Sequence, residues 1–103
     1  MARVLVLEPD RELRALFARQ LVSIGHEAVA DGEPDAVLVE PADPAMLRQA
    51  LALRNARPEL PIICVSIADD PRVAHELQPS SFLVKPFAVG MLRVALEAAL
   101  TPV

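Results

Sequence analysis

Four short aliphatic runs, each stopped by a charged or helix-breaking residue or by a hydroxyl, constrain this chain more than any other feature. They are RVLVL at 3–7, AVLV at 36–39, IICVS at 62–66 and FLV at 82–84, and the first ends abruptly at Glu8, Pro9 and Asp10. A continuous apolar run of this length between breakers fits a strand buried on both faces, as in a parallel sheet. Parallel neighbours need crossover connections, and most of the intervening segments read as helices.

Asp10 predicts an N-cap for a helix over 11–23, where Leu13, Leu16, Phe17 and Leu21 share one face and Gly25 supplies a left-handed end. Residues 27–30 form a weaker strand candidate. Asp43 followed by Pro44 opens a helix to about residue 56, with Leu47, Ala50 and Leu51 turned inward. Asp70 and Pro71 repeat that signature, and Pro79 restricts the helix to about two turns. A last helix over 88–100 is expected to bury Met91, Leu92, Ala95, Leu96 and Ala99. Strands alternating with helices predict an α/β fold, a doubly wound parallel sheet covered on both faces, in one domain spanning residues 1–103.

One junction breaks the alternation. Only Asp31, Gly32, Glu33, Pro34 and Asp35 separate the second and third strands, whereas a crossover normally takes about a dozen residues and includes a helix. The second crossover helix is therefore missing or reduced. Returning along a four-residue strand and moving sideways past a neighbour would stretch such a link taut. The sheet face beside the first and third strands is expected to lose its cover, leaving an apolar patch or a short edge strand, 27–30, for a protein partner or a second copy of the chain.

Composition narrows the function classes. The net charge of −4 lacks the basic face that a phosphate backbone requires, and with no Trp or Tyr and three Phe there is little to stack on bases, so direct nucleic-acid binding is not expected. No run approaches the roughly 20 apolar residues of a membrane span, and the N-terminus lacks the form of a signal peptide. A cytoplasmic location is the default expectation. The lone Cys64 sits inside an apolar run and reads as a small buried residue. His26 and His75 have no ligand-spaced partners, and there is no Gly-rich phosphate loop, nucleophile elbow or zinc spacing.

In an open α/β sheet, ligands sit at the carboxyl ends of the strands. The residues there are Glu8, Pro9 and Asp10, then Glu40, Ser66 and Lys85. Carboxylates, a hydroxyl and a lysine on one rim suit a magnesium ion and a phosphoryl group.

These pieces, RVLVLEPDRELRALFARQL, PDAVLVE, PIICVSI and FLVKPF, together resemble the receiver domain of bacterial two-component response regulators over essentially the whole chain. The resemblance implies a flavodoxin-like five-stranded sheet in the order 2-1-3-4-5. It implies that Ser66 is the hydroxyl that senses the phosphoryl group, Lys85 its lysine, Phe82 the switching aromatic without a tyrosine hydroxyl, and the Lys85–Pro86 bond cis. Glu8 matches the first acid of the metal-binding pair. Pro9 stands where the second is expected, and its side chain offers no ligand atom. Glu40 stands where the phospho-accepting aspartate belongs, its carboxylate displaced by one methylene.

Phosphoryl transfer depends on positioning and on neutralising the oxygens, so both departures damage the reaction together. The expectation is a degenerate pseudo-receiver: no enzyme, no cofactor, a protein-interaction module in signal transduction that works without phosphorylation. Glu40 is expected to reach Lys85, as a partial mimic of the phosphorylated form or as a residual structural salt bridge. The alternative is an active phospho-acceptor in which Glu8, Asp10 and another carboxylate hold magnesium. A second interaction surface implied by the resemblance is the last helix with the strand before it, where Arg93 and Glu97 stand one turn apart.

Overall fold

The computed structural model describes residues 1–67 and 71–101. Over those residues the chain forms β1 (Arg3–Leu7), α1 (Arg11–Ser23), β2 (Glu27–Val29), β3 (Ala36–Val39), α2 (Pro44–Ala56), β4 (Ile62–Ser66), α3 (Pro71–Leu77), β5 (Ser81–Val84) and α4 (Val89–Leu100). All strand pairs are parallel, and the order is β2-β1-β3-β4-β5. This is the flavodoxin-like order, with no helix between β2 and β3.

Alternation along the strands sorts their side chains into two apolar layers. Val4, Val6, Leu38, Ile63, Val65 and Leu83 pack with Phe17 and Leu21 of α1 and Leu92, Ala95 and Leu96 of α4. On the other face Leu5, Leu7, Val37, Val39, Ile62 and Cys64 pack with Ala50 of α2, Leu60 and Leu77. β3, central and covered from both sides, is fully buried. Each such aliphatic side chain contributes about 1.5–3 kcal/mol relative to exposure.

The helix ends follow their sequence signals. Asp10 Oδ1 accepts hydrogen bonds from the backbone N–H groups of Glu12 and Leu13, and Asp43 Oδ2 accepts one from Met46. Gly25 follows the end of α1 at φ +88°. The expected cap at Asp70 lies outside the described residues. Two side chains depart from expectation: Met91 is 52% exposed and Leu16 37% exposed. Each precedes a truly inward residue, Leu92 or Phe17, by one position, and the 100° turn per residue carries it past the edge of the buried stripe. β2 also stops at Val29 rather than at residue 30, and β5 begins at Ser81.

The short link between β2 and β3 is relaxed, not taut. Val29 lies level with Leu5 and Ala36 level with Val4, so the chain steps back by about one residue, roughly 3.3 Å, and sideways by two strand spacings, roughly 10 Å. Its seven peptide steps reach about 23 Å or more. The Arg3 N–H donates to Asp35 Oδ2 at 2.8 Å, Asp35 N–H donates to the Arg3 carbonyl at 2.7 Å, and Arg57 Nη1 donates to the Pro34 carbonyl at 2.7 Å. Gly32 passes close to the Arg3 guanidinium with φ +85°, a conformation glycine adopts without strain.

Nor is the face beside β1 and β3 stripped bare. Leu5 and Leu7 are 9% and 5% exposed, and Val37 and Val39 are fully buried. α2 packs against β1 as well as β3, and its Met46, Leu47, Leu51 and Leu53 lie half-buried against this layer. One helix covers the ground expected to need two. Among the described residues, the large exposed apolar side chains sit elsewhere, chiefly Ile67, Val84, Met91 and Val94 on the β4, β5 and α4 side and Leu16 and Val22 on α1.

Candidate functional site at the carboxyl edge

β1, β3, β4 and β5 deliver Glu8, Glu40, Ser66 and Lys85 to one rim. The ladder continues past the strand ends: Glu40 N–H donates to the Leu7 carbonyl at 2.9 Å, and Lys85 N–H to the Ser66 carbonyl at 2.7 Å. These bonds hold the residues side by side before their side chains are considered. The Lys85 side chain then turns into the rim, where it is 11% exposed.

There Lys85 Nζ donates to Glu8 Oε1 at 2.5 Å and to Glu40 Oε1 at 3.2 Å. The remaining carboxylate oxygens accept from the backbone: Glu8 Oε2 from Asp10 N–H at 3.1 Å, and Glu40 Oε2 from Ala42 N–H at 3.3 Å. Both glutamates are buried. The ammonium also lies 5.9 Å from the centre of the Phe17 ring, which stacks on Phe87 with centroids 5.5 Å apart. A cation over an aromatic face is attracted by the ring quadrupole. Arg14 Nη1 donates to the Glu8 carbonyl at 2.9 Å, fixing the turn from β1 into α1. A buried ion pair persists only when its oxygens and protons find such partners, because desolvation otherwise outweighs the attraction.

The other residues singled out from the sequence occupy different ground. Ser66 is buried at the end of β4. Pro9 and Asp10 are exposed, and Asp10 is the cap of α1. Phe82 packs half-buried on the α2 face, away from the layer that holds Phe17. The Lys85–Pro86 peptide is cis. His26 Nδ1 accepts the Ala2 N–H at 3.0 Å and so tethers the N-terminus. Sequence reasoning paired Lys85 with Glu40 and missed Glu8 as the nearer partner and Phe17 as the ring beneath it. Nothing in the local sequence around Phe17 distinguishes it from an ordinary core residue.

The receiver fold implies a magnesium ion at this rim, and the residues present do not fit one. Mg²⁺ demands near-octahedral oxygen ligands at about 2.0–2.1 Å. Pro9 supplies no donor, Asp10 faces its own helix N-terminus, and all four oxygens of Glu8 and Glu40 already accept hydrogen bonds. Among the described residues, no group of three or more His, Cys, Asp or Glu side chains is arranged to hold a metal ion.

A five-stranded parallel sheet in this order is a flavodoxin-like α/β fold, here with acids and a lysine at its carboxyl edge. Solved structures agree. The chain is similar to NtrX from Brucella abortus, with 24% identity and a TM-score of 0.82 over 96% of this chain and 27% of that one. It is similar to the signal receiver domain of a modulated diguanylate cyclase from Desulfovibrio desulfuricans G20, with 27% identity and a TM-score of 0.78 over 97% and 94% of the two chains. It is also similar to the chemotaxis protein CheY4 from Vibrio cholerae, with 22% identity and a TM-score of 0.84 over 97% and 99%. The chain spans about a quarter of the length of NtrX. No family model matches the sequence, and no curated protein matches it. The fold is that of the receiver domains of response regulators. Among the described residues, no helix is long and apolar enough to cross a membrane.

Proposed function

We propose that this chain is a receiver-like domain of two-component signalling that works as a protein-interaction module without being phosphorylated. The observation that carries this reading is the donor set of the rim, where Pro9 offers no ligand atom beside Glu8 and Lys85 engages both Glu8 and Glu40. In a phosphorylating site the ammonium would be available to the phosphoryl oxygens, and the acceptor carboxylate would be neutralised by a metal. Here the ammonium neutralises the carboxylates themselves. Glu40 carries its carboxylate one methylene beyond an aspartate, and displacements of about 1 Å can reduce such reactions by roughly two orders of magnitude. The rival arrangement needs Asp10 as a metal ligand, but Asp10 Oδ1 is already spent on the cap of α1, which leaves it one oxygen to offer.

A module of this kind acts through its surface. Val84, Met91 and Val94, all exposed, place apolar area on β5 and α4, beside a groove of about 900 Å³. Exposed apolar clusters of this sort mark contacts with other proteins or with a second copy of the chain.

Intact-protein mass after incubation with acetyl phosphate and Mg²⁺ tests the reading. The native chain and Glu40→Asp are expected to keep their mass, and Pro9→Asp/Glu40→Asp to gain one phosphoryl group. A gain by the native chain would overturn the proposal.

A further inference from the structure

We infer that the outward face of α4 pairs with the same face of a second copy of this chain, the two helices running antiparallel about a two-fold axis that passes beside Val94. This rests on the proposed reading of the chain as an interaction module, and it names the partner and the geometry of the contact.

α4 carries more apolar surface than its own domain covers. Leu92, Ala95 and Leu96 are buried against the sheet, yet Met91 is 52% and Val94 64% exposed, and Ala98 is exposed as well. Only Arg93 and Glu97 interrupt the sequence VGMLRVALEAAL with charge. A surface helix ordinarily turns a charged face to water, and one that is apolar nearly all round is covered on both sides. At 100° per residue Met91, Val94 and Ala98 form one outward stripe, and Arg93 and Glu97 lie together along one flank of it. These two stand one turn apart in the weaker of the two orders for a helical pair, and neither side chain takes part in an ion pair among the described residues.

The face is complementary to itself in one direction only. A two-fold contact uses the same patch on both copies, so the patch has to match its own image. In a parallel pair the charged flank of one helix meets the apolar flank of the other, and Arg93 and Glu97 find no partners. In an antiparallel pair like flanks meet. With the axis beside Val94, Arg93 of each copy then stands opposite Glu97 of the other, which makes two ion pairs. The same axis sets Met91 opposite Ala98, a long side chain over a small one, and brings the two Val94 side chains together. On the opposite flank the apolar grooves between β5 and α4, lined by Leu83, Met91 and Val94, face each other. A partner of another sequence needs no such symmetry; the match of charge and of size about a single point is what selects a second copy. A contact along one 12-residue helix, about 18 Å long, belongs with the smallest specific interfaces, so the dimer is expected to dissociate on dilution through the micromolar range.

The test is sedimentation velocity from roughly 10 µM to roughly 1 mM on the native chain, Arg93→Glu, Glu97→Arg, the double variant Arg93→Glu/Glu97→Arg, and an equimolar mixture of the two single variants. All the substituted side chains are exposed, and circular dichroism checks that each variant keeps the native fold. The native chain is expected to pass from monomer to dimer across this range. Each single variant turns two attractive contacts into two repulsive ones and is expected to associate about tenfold more weakly or worse. The double variant and the mixture restore opposite charges at both contacts and are expected to return to within about threefold of the native constant, as charge pairs in this geometry require. A native chain that stays monomeric throughout overturns the inference and leaves the face to a different protein. Association that survives both single variants, or that neither the double variant nor the mixture restores, overturns it too. The phosphodonor experiment fails separately: a monomer that keeps its mass refutes the pairing alone, and a dimer that gains a phosphoryl group refutes the functional reading alone.

Discussion

Lys85→Met keeps an unbranched side chain of similar length and removes the charge, leaving Glu8 and Glu40 at 2% and 9% exposure without their shared cation. Taking one partner from a buried ion pair costs about 3–5 kcal/mol, because the remaining charge stays buried and uncompensated. Here two charges are left, which raises the cost, while the Asp10 and Ala42 N–H groups still solvate one oxygen of each, which lowers it. A loss of about 3–5 kcal/mol is expected, a large share of the ~5–15 kcal/mol that stabilises a typical domain. For a chain near this size that lowers the midpoint of thermal unfolding by roughly 12 °C or more. The chain has no Trp or Tyr, so urea and thermal unfolding are best followed by far-ultraviolet circular dichroism. Glu40→Gln is the milder companion, at about 1–2 kcal/mol, since Lys85 keeps its shorter bond to Glu8. The difference between native and Lys85→Met is expected to survive high salt, which screens exposed pairs far more than buried ones. A loss below about 1 kcal/mol would refute the reasoning, since that is the worth of an exposed pair.

Three further outcomes follow from particular contacts. Asp10→Ala removes the acceptor for two N–H groups at the start of α1 and is expected to cost about 0.5–2 kcal/mol in urea unfolding. Gly25→Ala and Gly32→Ala separate conformational strain from crowding: both glycines have positive φ, but an added Cβ meets nothing within 4 Å at Gly25 and comes 3.0 Å from Arg3 Nη2 at Gly32. Each is expected to lose about 1 kcal/mol to strain, with the larger loss at Gly32, where Arg3 must also move. Leu21→Ala opens a cavity at a fully buried site and is expected to cost about 2–5 kcal/mol, whereas Val22→Ala, next to it at 68% exposure, stays within about 0.5 kcal/mol.

Much of the fold was legible because its signals are local. The aliphatic runs mark their strands to within a residue, and Asp10 and Asp43 start their helices where the sequence places them. The absent helix between β2 and β3 is equally plain, since five residues leave no room for one. Its consequence was not legible. A stripped sheet face follows only if each helix covers a single strand, and α2 lies against two. The exposure of Met91 and Leu16 was missed for a related reason: helical periodicity gives the direction of the buried stripe but not its width, which depends on how closely the neighbouring elements approach.

The candidate site divides along the same line. That Glu8, Glu40, Ser66 and Lys85 stand at strand ends follows from the chain alone, because each directly follows or closes an apolar run. That Lys85 bonds most closely to Glu8, 77 positions away, depends on strand order and register, which set β1, β3, β4 and β5 side by side with β4 and β5 running two residues past the ends of β1 and β3. The sequence by itself determined which groups reach the carboxyl edge, since hydrophobic runs, caps and prolines act over a few neighbouring residues. Only the tertiary structure decided which of those groups meet and how deeply they are buried, because pairing across a sheet joins residues remote in the chain and desolvation is set by every element packed around them.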